Sequence, residues 1–192
     1  MLPFLLQMAA KRIYNQTSLF GPLYAYLVVL SPPKKVITDI AAIKQQLNAI
    51  ANISESNLHS KAHITLTDKL TDDVDFTNTV RELIGDNESF TITVNGWGAF
   101  DHIHSVTIYL KVENAEPVIQ LSSKLKSPAP TPHISLAKKI SHETYHELLP
   151  YLENLDYSAT WTCTEILVLR KLMSEKHLGF KESFSIPLTK HL

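Results

Sequence analysis

The chain has 192 residues, of which 44% are hydrophobic and 19% are charged, a balance typical of a folded globular protein. Its formal net charge of −1 argues against tight binding to long duplex nucleic acid, which needs a strongly basic surface. No segment is apolar for long enough to predict a transmembrane helix, and the single cysteine, Cys163, cannot form an internal disulfide. We expect a cytoplasmic monomer with no membrane partner.

The N-terminal segment differs from the rest of the chain. An apolar stretch at 2–6 is too short to span a membrane, and its basic residues, Lys11 and Arg12, follow it, whereas those of a secretory signal come first. We therefore expect residues 1–21 to form an N-terminal extension. Residues 22–192 are expected to form one bilobal domain.

The first half of that domain alternates between strand and helix patterns. A continuous apolar run at 23–30, stopped by prolines, predicts a buried strand, and the apolar spacing at 34–51 predicts a helix. A short strand is expected at 62–66. A helix is expected to begin at 71–73, where acidic residues would face its positive N-terminal dipole.

Strand patterns dominate the second half. Alternating residues predict strands at 90–94 and 106–112, with a bulge or turn at 96–98 and at 101–104 between them. A short helix at 117–125 and a proline-rich loop at 127–132 lead into another strand. Ser141 is predicted to begin a helix that Pro150 bends or shortens, and the last strands are predicted at 158–162, 165–169 and 184–188.

A short phrase occurs twice in this pattern. Residues 62–66 read Ala-His-Ile-Thr-Leu, and residues 132–136 read Pro-His-Ile-Ser-Leu. Because successive side chains of a strand point to opposite faces, each phrase places a histidine and a hydroxyl on the face opposite its apolar residues. The order of elements around the two phrases predicts an α+β fold, with duplicated, pseudo-symmetric β-α-β-β lobes. The two phrases would meet at a central cleft between two mainly antiparallel sheets.

The two phrases resemble the signature of the 2H phosphoesterase family, which includes bacterial 2′–5′ RNA ligases and 2′,3′-cyclic nucleotide phosphodiesterases. The likeness extends from the strand and prolines at 23–33 to the strand and glycine turn at 91–100, and it covers nearly all of 22–190. The resemblance implies a phosphoesterase that acts on a cyclic phosphodiester or a 2′–5′ linkage of a nucleotide or RNA terminus. It implies no cofactor.

The four polar residues of the phrases are the predicted catalytic residues. One imidazole can take a proton from the attacking water while the other protonates the leaving sugar oxygen, and neither step requires a metal. The resemblance implies that His133 is the base and His63 the acid. Thr65 and Ser135 can donate hydrogen bonds to the phosphate oxygens.

Three further residues are predicted to bind the substrate. Lys61 would share the face of His63 if the strand extended back to it, and its charge would then help to hold a phosphate. Tyr24 and Tyr26 alternate along the first strand and could stack on a base, although core packing is an equally good explanation. Tyr109 and Trp97 are weaker candidates for the same role.

Two alternatives stay open. Residues 142–146 read His-Glu-Thr-Tyr-His and match the zinc-protease motif, so His142 and His146 could bind zinc. The position of this motif at a helix start and the nearby Pro150 argue against it. The second alternative is a non-catalytic module that binds RNA or a nucleotide. With 5 glycines and no glycine-rich phosphate loop, ATP-driven ligation is disfavoured.

Overall fold

A computed structural model describes residues 21–84, 87–127, 131–175 and 179–189. Residues 1–20 of the predicted N-terminal extension and 128–130 of the predicted proline-rich loop lie outside the described residues. Within these ranges no helix is long and apolar enough to cross a membrane. The described helices are α1 (Lys34–Ile50), α2 (Glu55–Leu58), α3 (Phe76–Ile84), α4 (Glu116–Lys124) and α5 (His142–Glu153).

Eight strands form one antiparallel sheet in the order β6-β3-β4-β5-β2-β1-β7-β8. Their bounds are β1 (Tyr24–Leu30), β2 (Ile64–Thr71), β3 (Phe90–His102), β4 (Ser105–Val112), β5 (His133–Ile140), β6 (Ser158–Cys163), β7 (Glu165–Leu172) and β8 (Glu182–Pro187). The two predicted sheets are the halves of this sheet, and β2 and β5 join them through one residue pair, Ile64 with Ile134. The predicted α+β class and antiparallel pairing are confirmed.

Neither half of the sheet comes from one continuous segment. The half with β1 and β2 is completed by β7 and β8 from the end of the chain, and β3 belongs to the half with β4, β5 and β6. The two halves nevertheless share a local feature at the repeated phrases. Val29 pairs with Thr65 just before a bulge in β2, and Tyr109 pairs with Ser135 just before a bulge in β5.

The helices pack on the sheet around the core. Helices α1 and α2 contact β5, α4 contacts β2, and α5 contacts β4. The apolar residues of the two phrases, Ile64, Leu66, Ile134 and Leu136, are fully buried in the main hydrophobic core. Because alternate strand residues point to opposite faces, the histidine and hydroxyl of each phrase lie on the face away from that core.

Several element boundaries differ from the prediction; β3, for example, runs on to His102 instead of ending at 94. Helix α3 begins at Phe76 instead of 71–73, because β2 continues to Thr71, which pairs with Tyr24 of β1. Asp73 stabilises the following turn by accepting a hydrogen bond from the Asp75 backbone N–H at 2.8 Å. Pro150 lies inside α5, which continues past it to Glu153.

The start of α5 agrees with the prediction. Ser141 caps this helix by accepting a hydrogen bond from the Thr144 backbone N–H at 3.0 Å. This bond satisfies one of the backbone donors that the first turn of a helix leaves without an internal partner.

Candidate active site

The two repeated phrases meet at the centre of the sheet. Ile64 pairs with Ile134 in an antiparallel register, so extending that register by one residue in each direction places His63 opposite Ser135 and Thr65 opposite His133. Side chains directly opposite on neighbouring strands have Cβ atoms about 4.5–5.5 Å apart. On this register each histidine would face the hydroxyl of the other phrase, and the charge of His133 does act on His63.

Each imidazole is held by a hydrogen bond to the backbone carbonyl two residues earlier in the chain. Nδ1 of His63 donates to the Lys61 carbonyl at 2.8 Å, and Nδ1 of His133 donates to the Thr131 carbonyl at 2.9 Å. Because the proton of each neutral ring is kept on Nδ1, the lone pair is on Nε2. Nε2 is therefore the nitrogen that can exchange a proton with a ligand in the cleft.

Burial and neighbouring cations lower the pKa of both histidines. Burial is the main cause that lowers the pKa of His63 below 6.5, and the hydrogen bond to the Lys61 carbonyl partly opposes it. The positive charges of Lys138, Lys44 and His133 lower this pKa further. Burial likewise lowers the pKa of His133, against its hydrogen bond to Thr131, and Lys138 adds to the effect. Without a bound anion, both imidazoles are mainly neutral at about pH 7.

Lys138 lies outside the predicted set of site residues, since a lysine pair such as 138–139 is usually on the surface, although it can also line a cleft. In a regular strand, Lys138 would point away from Ser135, three residues earlier. In β5, however, Tyr109 pairs with Ser135 and Ile108 pairs with Ala137, so the strand carries one extra residue at this point. This bulge turns Lys138 to the face of Ser135, and both residues line one cavity beside His63.

Two aromatic rings support His133 from β3 and β4. The Tyr109 and Phe100 rings stack with centroids 4.2 Å apart, and they lie 5.2 Å and 5.1 Å from the His133 ring. The Tyr109 ring lies directly over Gly98, where a Cβ would come within 2.7 Å of its Cζ and Oη atoms. Gly98 is therefore the residue that lets the ring lie flat against β3, and Tyr109 is mostly buried.

Of the two tyrosines predicted to stack on a base, the structure places Tyr26 in the core and Tyr24 at the partly exposed start of β1. Tyr26 is 1% exposed; its hydroxyl donates to the Asp73 carbonyl at 2.9 Å and its ring packs edge-on against Phe76. Tyr24 pairs with Thr71, six residues along β2 from Thr65, which corresponds to roughly 20 Å. Its ring packs against the Arg170 guanidinium instead, 5.0 Å away.

The other candidates have different surroundings. Lys61 lies before β2, which begins at Ile64, but it lines the same cavity as His63. Trp97 pairs with buried Leu110 and packs against the core. His142, the first residue of α5, bonds through Nε2 to the Asp101 carboxylate at 2.8 Å. Across the described ranges, no group of three or more His, Cys, Asp or Glu side chains is arranged to hold a metal ion.

Comparisons with known proteins address the family and the fold of the chain. The family model described as "2'-5' RNA ligase superfamily" matches residues 32–174, which is most of the chain and includes both phrases. The chain belongs to the 2′–5′ RNA ligase superfamily. Membership places it among phosphoesterases and ligases that act on nucleotides or RNA. No curated protein sequence matches the chain.

Solved structures of this fold are similar over nearly their whole length. Escherichia coli LigT complexed with 3′-AMP superposes with a TM-score of 0.56 at 16% identity, over 88% of this chain and 96% of LigT. The complex of LigT with ATP gives a TM-score of 0.54 at 12% identity, over 87% of this chain and 99% of LigT. The protein TT0787 of Thermus thermophilus gives a TM-score of 0.55 at 14% identity, over 84% of this chain and 97% of TT0787. These likenesses establish the superfamily fold.

Proposed function

We propose that this protein is a phosphoesterase that hydrolyses a 2′,3′-cyclic phosphate, or a 2′–5′ linkage, at the end of a nucleotide or RNA. The observation that supports it most directly is the crossing of the two phrases at Ile64 and Ile134, from which the two Nε2 atoms and the two hydroxyls would surround one small volume. A tetrahedral phosphate has four oxygens that need these contacts. The active unit is residues 22–192, acting as a cytoplasmic monomer.

The reaction divides the two proton transfers between the imidazoles. Neutral His133 takes a proton from water on Nε2 as the water oxygen bonds to phosphorus. The bond from phosphorus to a ring oxygen of the cyclic phosphate breaks, and protonated His63 gives its Nε2 proton to that sugar oxygen. The product is a phosphate monoester next to a free hydroxyl. The enzyme ends with His133 protonated and His63 neutral, and proton exchange with solvent restores the starting state.

The charge on the phosphate is held by hydroxyls and cations. Thr65 and Ser135 donate hydrogen bonds to the two non-bridging oxygens, whose negative charge grows as phosphorus becomes pentacoordinate. Lys138 and Lys61 line the cavity beside His63, and the charge of Lys138 lowers the pKa of both imidazoles. These groups supply every proton and anion contact in the reaction, so the mechanism uses no metal and no cofactor.

A substrate panel tests this function. Purified protein is incubated with the four nucleoside 2′,3′-cyclic phosphates and with short RNAs that contain one 2′–5′ linkage, and the products are identified by chromatography and mass spectrometry. We expect conversion to phosphate monoesters that is unchanged by excess EDTA. Loss of activity in EDTA with recovery on adding zinc would instead support the hydrolase that uses His142 and His146. Tight binding without turnover would support the non-catalytic module.

The pH dependence follows from the lowered pKa values of both histidines. The active form has one protonated and one neutral imidazole, so the profile of kcat/KM is expected to be bell-shaped with its maximum below pH 6.5. A bound phosphate anion favours the protonated imidazole and raises its pKa. The alkaline limb of the kcat profile should therefore lie at higher pH than that of kcat/KM. A kcat/KM profile still rising above about pH 8 would contradict the mechanism.

A further inference from the structure

A cavity of about 390 Å³ continues from the catalytic residues toward helix α2. His63 and Ser135 are among the residues that line it. We call it the Lys–Ser cavity, and the side chains that give it this character are Ser54, Ser56, Ser60, Lys61, Lys138 and Lys139. Its volume is within the range of small-ligand sites and exceeds what the scissile phosphate alone would fill.

The lining of this cavity is suited to a second anion. Among the described residues that line it there are three lysines and no carboxylate. Glu55 lies between two lining serines in sequence, but its carboxylate is paired with His59 at 2.9 Å. Hydroxyls and ammonium groups are the donors that recognise phosphate oxygens.

A buried cation lies beneath the same wall. Lys44 is 1% exposed, and its Nζ donates to the Ser60 carbonyl at 2.8 Å, the Ser60 hydroxyl at 2.7 Å and the Asn57 carbonyl at 3.2 Å. Burial, with a contribution from the charge of Lys138, lowers the pKa of Lys44 to about 8. The charges of Lys44 and Lys138 thus repel each other, and a bound anion would reduce that repulsion.

The cavity walls are held in an unusual backbone geometry. Ser54 and Lys139 both have positive φ values, 76° and 57°, which cost energy in a residue with a side chain. The side chain of Asn57 joins the wall formed by α2 to the wall formed by β5. Its Nδ2 donates to the Ile53 carbonyl at 2.6 Å and to the Lys138 carbonyl at 2.9 Å, and its Oδ1 accepts from the Lys138 N–H at 2.9 Å. The fold thus fixes both walls before any ligand arrives.

From this geometry we infer that the Lys–Ser cavity binds the phosphodiester next to the scissile phosphate, so that the preferred substrate is an oligonucleotide end and not a mononucleotide. The inference rests on the proposed function, because it takes the position of the scissile phosphate from the catalytic residues. Lys139 and the serines Ser54 and Ser56 would contact the flanking phosphate. Lys138 lies between the two phosphate positions.

The test compares three substrates that separate the effect of the second nucleoside from that of its phosphate charge. They are adenosine 2′,3′-cyclic phosphate, the dinucleotide ApA ending in a 2′,3′-cyclic phosphate, and that dinucleotide with its internal phosphate replaced by a neutral methylphosphonate. For the wild-type protein we expect kcat/KM for the charged dinucleotide to exceed that for the neutral one by about 10- to 30-fold, as one charge-assisted contact allows. This preference should shrink as salt is added.

The Lys139→Gln variant removes the charge and keeps a polar side chain of similar size. We expect this variant to lower kcat/KM for the charged dinucleotide to the value for the neutral one. Its kcat/KM for the cyclic mononucleotide should stay within about twofold of wild type, because a surface charge contributes little to the binding of a ligand that it does not contact. The matched control is Lys35→Gln, since Lys35 is 85% exposed on α1 and loses only a surface ion pair.

Two results would overturn the inference. One is equal kcat/KM for the two dinucleotides in the wild-type protein, and the other is a Lys139→Gln variant that slows all three substrates equally. If none of the substrates is turned over, the proposed function fails. Calorimetric titration of the two dinucleotides then still tests whether the Lys–Ser cavity binds the flanking phosphodiester. Tighter binding of the charged dinucleotide that is lost in Lys139→Gln supports it, and equal binding of the two rejects it.

Discussion

Replacing His63 or His133 with alanine is expected to lower kcat/KM for a cyclic phosphate by about 10²–10⁴-fold, the usual contribution of a general acid or base. The effect should be large for both, because each imidazole is fixed by its own backbone carbonyl and each performs a different proton transfer. Steady-state kinetics on both variants at several pH values provides the measurement. Each variant should also lose one limb of the bell-shaped pH profile.

The double variant and a surface control sharpen this experiment. If the two imidazoles work as a unit, removing both should cost little more than removing one, since neither transfer is useful without the other. His142→Ala is the matched control, because His142 bonds to the exposed Asp101 and does not line the cleft, and its turnover should stay near wild type. Near-wild-type turnover in either catalytic variant would rule the mechanism out.

Thr65→Val and Ser135→Ala should each lower kcat by about 10- to 1000-fold, because each removes one hydrogen bond to a phosphate oxygen that gains charge in the transition state. Valine has nearly the shape of threonine, so the fold is kept and only the hydroxyl is lost. Since the contact strengthens as the charge develops, kcat should fall much more than KM rises.

A suitable control is Thr162→Val on β6, which removes an exposed hydroxyl from the outer edge of the sheet. Its kcat should match wild type, and circular dichroism should show that all three variants are folded. A variant of Thr65 or Ser135 that changes only KM would mean that its hydroxyl contributes to substrate binding and not to transition-state stabilisation.

The parts of the site that depend on strand alternation could be predicted from sequence. A strict period of two separates the buried Ile64 and Leu66 from His63, and the second phrase repeats it around Ile134. The cap at Ser141 was equally visible, because a serine side chain before a polar first turn satisfies a free backbone N–H. These features are local, so a few neighbouring residues determine them.

The parts that depend on bulges and on distant packing could not be predicted. The position of Lys138 follows from one extra residue in β5, and nothing in its own type or in that of Ala137 signals it. Tyr26 has the alternation of a substrate-facing residue, but its contact with Asp73 comes from a segment 47 residues later. Helix α2, with four residues, is too short for a helical period to be seen.

The interleaving of the two halves has a consequence for how the chain is made. Tyr24 pairs with Thr71 on one side and with Leu172 on the other, so β1 keeps an open edge on the ribosome until β7 has been synthesised. Pairing over such a long stretch of chain is slow, because closing the loop costs entropy before any contact forms. The half of the sheet that holds β2 is therefore completed late in synthesis. A chain released before residue 165 would expose the backbone N–H and C=O groups of β1, where a strand of another copy could pair.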